Sequence, residues 1–188
     1  MVMTVERTHS TSGNLALAAG AGVAAGFAAN LIRKAVMQAP TALSGNWSDA
    51  LAAEHKMTLA SFDKLEKTTP KQTTRRTMLL MHIKHSLAKH AFQEENVVYP
   101  SLRDHGAAEA ADHLNSEHGY VKQYLFDLHM MPKDDPAWMT KIREFRSMLE
   151  KHMAEEENEI FPKLRAQLSD EENKSVTIAM NREGLKLA

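Results

Sequence analysis

Residues 90–103 read HAFQEENVVYPSLR, and residues 152–165 read HMAEEENEIFPKLR. Both fit H-x-x-x-E-E-N-x-[VI]-[YF]-P-x-L-R, which is an internal repeat of a whole structural unit. Upstream, Glu54-His55 is matched by Glu117-His118. Each half therefore carries a helix with one histidine, followed by a helix with His-x-x-x-Glu. Two such αα-hairpins make an all-α, up-down-up-down four-helix bundle with pseudo-twofold symmetry.

Outward from the repeat, the apolar spacing stays helical from Ser48 nearly to the end. No alternating apolar/polar run marks a strand. The breaks are specific. Thr69-Pro70 opens a helix, with Gln72 at the capping-box position. Tyr99-Pro100 interrupts it, Gly106 marks a turn, Met131-Pro132 ends the next helix and Asp135-Pro136 opens another. This predicts helices over about 48–67, 70–99, 107–131 and 136–161, within a bundle domain at 46–168. Ser169 and Glu172 look like the cap of a last short helix in a C-terminal tail, 169–188.

The first forty residues differ in composition. Residues 1–13 are polar and aperiodic, as in a disordered start. Residues 15–32 (LALAAGAGVAAGFAANLI) form an uncharged Ala/Gly-rich stretch followed by Arg33 and Lys34. Its length approaches a membrane span, but alanine and glycine supply little insertion energy. Gly22-x-x-x-Gly26 would let two helices approach closely. The expectation is a cytoplasmic protein using this helix for docking or self-association, with inner-membrane contact as the alternative.

Composition narrows the chemistry. There are no cysteines, so disulfides, thiolate metal sites and cysteine nucleophiles are ruled out. Formal net charge is -1, with no basic cluster interleaved with aromatics, so no nucleic-acid partner is expected.

The helical seams place polar residues where a core belongs. One runs Leu80, Ile83, Leu87, His90, Glu94; another runs Ile142, Phe145, Leu149, His152, Glu156. Leu51, His55, Phe62 and Leu114, His118, Val121 supply the other two helices. A lone buried carboxylate is costly unless it is paired or binds a metal. Residues i and i+4 share a helical face, so His90 with Glu94, and His152 with Glu156, can bind one ion together. Four imidazoles and two carboxylates suit two metal ions with open positions. That donor set favours iron, and ligand type alone leaves manganese open. Glu95, Glu155 and Glu157 are expected to face solvent or to support the ligands from behind. No protein acid or base separate from the metal site is evident.

These residues resemble the hemerythrin family, in its HHE cation-binding branch, over about 48–165. The resemblance implies two non-haem irons held by His55, His90, Glu94, His118, His152 and Glu156; Glu54, Glu117 and Tyr120, close in sequence to His55 and His118, are candidates to support them. Tyr99 and Phe161 are read as helix-end staples, and His82, His85 and His113 as peripheral. The pattern departs from that of the oxygen carriers in the family. Leu114 stands where they have another third-helix histidine, and Glu157 stands at their aspartate position. The resemblance therefore implies a diiron protein that reacts with or binds dioxygen or peroxide, in oxidative-stress or iron handling, with catalase-like turnover as one form. The alternative is a non-catalytic sensing module for oxygen, nitric oxide or iron that acts through a partner.

Overall fold

The computed structural model describes Gly26, residues 28–32, Lys34 and residues 44–187. The chain divides into two compact units, Met1–Met37 and Gln38–Ala188. In the first, the described residues are helical and mostly exposed. The disordered start and most of the Ala/Gly-rich stretch lie outside the described residues. Among those described, no helix is long and apolar enough to cross a membrane.

The second unit consists of α1 (Trp47–Glu66), α2 (Thr73–Gln93), α3 (Tyr99–Asp104), α4 (Ala108–Met130), α5 (Pro136–Glu155), α6 (Phe161–Gln167) and α7 (Asp170–Leu187). Two π-helical segments, Glu94–Val98 and Glu156–Ile160, join α2 to α3 and α5 to α6. The result is four rods in a ring. α1 packs on α2 and α5, while α4 packs on α3 and α5. No strand occurs among the described residues.

The caps follow ordinary chemistry. Asn46 Oδ1 accepts the Asp49 N–H at 3.0 Å, and Asp135 Oδ1 accepts the Ala137 N–H at 2.7 Å ahead of α5. Gln72 Oε1 accepts the Thr69 N–H at 2.9 Å, yet α2 begins only at Thr73, three residues later than the Thr69-Pro70 signal suggests.

Pro100 and Pro162 do not end their helices as their sequence positions suggest. Each falls in the first turn after a π segment, where a missing N–H costs little. Within the segments, the Tyr99 N–H bonds to Glu94 O, and the Phe161 N–H to Glu156 O. The Asn of each Glu-Glu-Asn donates back across the widened turn. Asn96 Nδ2 reaches Phe92 O at 2.8 Å, and Asn158 Nδ2 reaches Ala154 O at 2.7 Å.

The apolar core forms two clusters. One gathers Trp47, Leu51, Leu102, Leu114, Phe161 and Met180; the other gathers Phe62, Leu87, Leu128, Trp138, Phe145 and Leu149. On every rod the histidine falls between residues of the two clusters, so a polar layer crosses the bundle between apolar ends.

The C-terminal helix is 18 residues long and closes one apolar end. Met180 is fully buried, and Gln93 Nε2 donates to its carbonyl at 3.3 Å. Trp47 Nε1 donates to Asn173 Oδ1 at 3.0 Å. The Ser169 cap forms as a reciprocal box. The Glu172 N–H donates to Ser169 Oγ at 3.2 Å, and the Ser169 N–H donates to Glu172 Oε2 at 2.8 Å.

Candidate metal centre

The structure brings all six expected ligand residues together. His55 comes from α1, His90 from α2, His118 from α4 and His152 from α5. Glu94 and Glu156 open the two π segments. All six side chains are buried, and both glutamates are 0% exposed.

Each imidazole is held from behind by a carboxylate. His55 Nδ1 bonds to Glu157 at 2.7 Å, His90 Nδ1 to Glu54 at 3.2 Å, His118 Nδ1 to Glu95 at 3.0 Å and His152 Nδ1 to Glu117 at 2.7 Å. An ionised carboxylate only accepts, so each Nδ1 carries the hydrogen. In the neutral tautomer, every Nε2 then presents a lone pair inward. A carboxylate behind a histidine is the arrangement that orients metal ligands.

The inward atoms lie close together. His55 Nε2 and His90 Nε2 are 2.8 Å apart. Two lone pairs facing at that distance repel unless a proton or a cation lies between them. His90 Nε2 is 3.1 Å from Glu94 Oε1, and His118 Nε2 is 3.3 Å from Glu94 Oε2. Glu156 Oε2 lies 3.4 Å from His55 Nε2 and 3.5 Å from His152 Nε2. Despite this crowding, Glu94 Oε1 and Oε2, Glu156 Oε2 and His152 Nε2 make no hydrogen bond. Buried polar atoms are rarely left so. The donors form two groups able to hold an ion, His55–His90–Glu94–Glu156 and Glu94–His118–His152, with Glu94 in both.

The electrostatics call for positive charge at the same place. Burial pushes the Glu94 carboxyl up, but His90 and His118 outweigh it and hold it well below the usual range. Burial pushes His90 down, but Glu94 and Glu54 drive it well above its ordinary value. His55 and His118 are raised by their carboxylate neighbours in the same way, against burial. Behind the site, burial raises Glu54, while His90 and Lys89 bring it down to about 2. Lys89 is itself buried and donates to Glu54 at 2.6 Å.

The two halves are not equivalent. Tyr99 is buried; its hydroxyl donates to Glu156 Oε1 at 3.0 Å and lies 3.1 Å from His118 Nε2. Burial, with Glu94 and Glu156 nearby, pushes the phenol up, so it stays protonated. At the matching position Phe161 has no hydroxyl and stacks on the His55 ring, with centroids 6.4 Å apart.

Tyr120 is not brought to the site. Its ring is 63% exposed, because two residues beyond His118 is about 200° round an α-helix. Glu54 and Glu117 do support histidines, and so do Glu95 and Glu157. His82 is exposed, His85 half-buried, and His113 exposed with Nε2 3.5 Å from Glu155. Tyr99 was legible only as a staple. The missing signal is the π register, whose i→i+5 bond stacks Tyr99 over Glu94. In an uninterrupted α-helix the two would lie about 140° apart.

A model described as the hemerythrin HHE cation-binding domain matches residues 48–164. The chain belongs to the hemerythrin HHE family. Its hemerythrin domain is a cation-binding one, and its buried His and Glu donors can hold metal. An uncharacterised hemerythrin-like protein of Schizosaccharomyces pombe is 27% identical over 138 residues, covering 72% of this chain and 67% of that protein. A Nostoc protein named as a DNA nickase is 23% identical over 141 residues; the match covers 75% of this chain but only 40% of that protein. The crystal structure of a hemerythrin HHE cation-binding domain-containing protein from Mycobacterium kansasii shares the fold, with a TM-score of 0.66 and 22% identity. It covers 76% of this chain and 86% of its own.

Proposed function

We propose that the hemerythrin domain binds two iron ions in its polar layer and that the protein binds or reduces dioxygen or peroxide there. The observation that carries this is the inward convergence of four Nε2 atoms on two buried carboxylates whose oxygens are largely without hydrogen-bond partners. One ion would take His55, His90, Glu94 and Glu156. The other would take Glu94, His118 and His152, with the Tyr99 hydroxyl beside it. Bound iron would supply one-electron redox chemistry and an open position for a small ligand.

The chain's own residues do the rest. Glu54, Glu95, Glu117 and Glu157 fix the ring orientations and keep each Nε2 free to bind. The Tyr99 hydroxyl donates to Glu156 and holds that carboxylate in place. Leu87, Leu149 and Met153 wall a cavity of about 10 Å³ against His90, His118 and His152. That is room for about one water-sized molecule. A small, apolar-walled cavity suits dioxygen or peroxide and keeps bulk water away. Leu114 is fully buried in the core, in the place where the family's oxygen carriers have a histidine, which favours reaction over simple carriage.

The test is peroxide consumption by protein loaded anaerobically with ferrous iron. Sustained consumption, lost in His118→Ala, is expected. Full iron uptake with no more consumption than free iron would contradict turnover and leave a ligand-binding protein.

A further inference from the structure

A groove of about 420 Å³ runs along the surface between α2 and α4. Its inner wall is shared with the small cavity beside the histidines: Leu87, Ala91, His118 and Val121 line both. Its volume is that of an ordinary small-molecule pocket, far more than dioxygen or peroxide needs. Phe126 stands at its lip, 61% exposed.

The groove is polarised along its length. The bond from His118 to Glu95 sets the antiparallel register of the two helices. Moving away from it, α2 runs back through Ala91 and Ala88 to Lys84, while α4 runs forward through Val121 and Leu125 to His129. One end therefore carries His118 and Glu95, beside the metal centre. The middle is apolar. The far end carries Lys84 and His129. Lys122 adds a cation on the α4 side, 67% exposed and 3.2 Å from Glu95. Glu95 is the groove's one carboxylate, and it is already engaged by His118 and Lys122. Lys84 has no carboxylate partner among the described residues.

We infer that the groove binds an amphipathic carboxylate, with its head at the Lys84–His129 end and its alkyl or aryl chain running inward toward Ala91 and His118. This deepens the diiron reading: it rests on that reading for its role, and adds a carboxylate-tailed organic molecule to the ligands that reach the centre. The apolar middle would reward chain length, and the cationic end would favour an anionic head over a neutral one.

The probe is octanoate, compared with hexanoate, decanoate and 1-octanol, titrated calorimetrically into the full chain with and without iron. Affinity should rise with each added methylene, by about fourfold at most, until the groove is full. Octanoate should bind several-fold more tightly than 1-octanol, as expected for a partly exposed charge contact. Lys84→Glu should erase that preference. Ala88→Trp, which fills the groove from an exposed position, should abolish binding of both probes while leaving the thermal unfolding curve in place. In iron-loaded protein, octanoate should perturb the visible spectrum of the wild type but not of Ala88→Trp.

Absence of octanoate binding at millimolar concentration would overturn the inference, as would binding indifferent to Ala88→Trp. So would a self-associated protein that Ala88→Trp makes monomeric, since the groove would then be a contact between copies. Binding to metal-free protein is read separately from iron loading, so failure of the groove and failure of the diiron reading give different results.

Discussion

Glu94 is the one residue present in both groups of donors, so it carries the sharpest prediction at the residue scale. Glu94→Ala should cost both metals rather than one, read as metal content after ferrous loading and desalting. Retention of two irons would contradict its shared position. The carboxylates behind the histidines act differently. Glu117→Gln keeps the size of the side chain but weakens the hold on His152 Nδ1, and should lower metal affinity about 10–100-fold in a chelator competition. The six donors were legible because i, i+4 spacing on a helix translates directly into a shared face. Tyr120 was misplaced because closeness in sequence is not closeness in angle. Glu95 and Glu157 were half-legible: the Glu-Glu pair repeats, but only packing shows that its second member serves a histidine on another helix. Tyr99→Phe would give both halves the same apolar residue at this position. It should change the visible spectrum of iron-loaded protein, and an unchanged spectrum would mean the hydroxyl does not affect the centre.

At the scale of elements, the π segments couple sequence to site. Each starts at a glutamate of the metal centre and ends against a proline, and each has an asparagine bonding back across the widened turn. Tyr99-Pro100 reads as a break in the helix, and nothing in the local sequence shows the π register that carries the rod through it. Asn96→Ala removes the bond that spans the widened turn, and reversion to α-register at full length would turn the Tyr99 side chain about 140° from Glu94. Iron binding should fall with it, as measured by metal content; full binding would mean the π register is incidental. The C-terminal helix was legible from its Ser169–Glu172 box but not in its length, because what extends it is docking of Met180 into the core. Met180→Ala should cost about 2–5 kcal/mol in urea unfolding. The bonds from Ser169 also hold the Glu172 carboxyl below its ordinary value. The sign follows: that contribution is complete above the usual carboxylate range and is lost as pH falls through the lowered value. Protection factors of the amides at the start of α7, corrected for the intrinsic pH dependence of exchange, should fall in acid, and Glu172→Gln should remove that fall.

Across the whole molecule, two apolar clusters clamp a layer of buried imidazoles and carboxylates that a metal-free core would have little reason to keep. The pseudo-twofold bundle was legible from one repeated motif. What breaks the symmetry is Tyr99 against Phe161, each packed on the opposite half, and the buried Lys89 pairing with Glu54 inside the first half; all depend on packing between helices. Iron should stabilise the bundle by mass action, since the unfolded chain has no assembled site. The most direct test is metal content together with the ultraviolet–visible spectrum of protein loaded anaerobically with ferrous iron and then exposed to air, with His90→Ala alongside. The account predicts about two irons per chain and an oxidation-dependent charge-transfer band that the variant lacks. Protein that stays metal-free and colourless would contradict it.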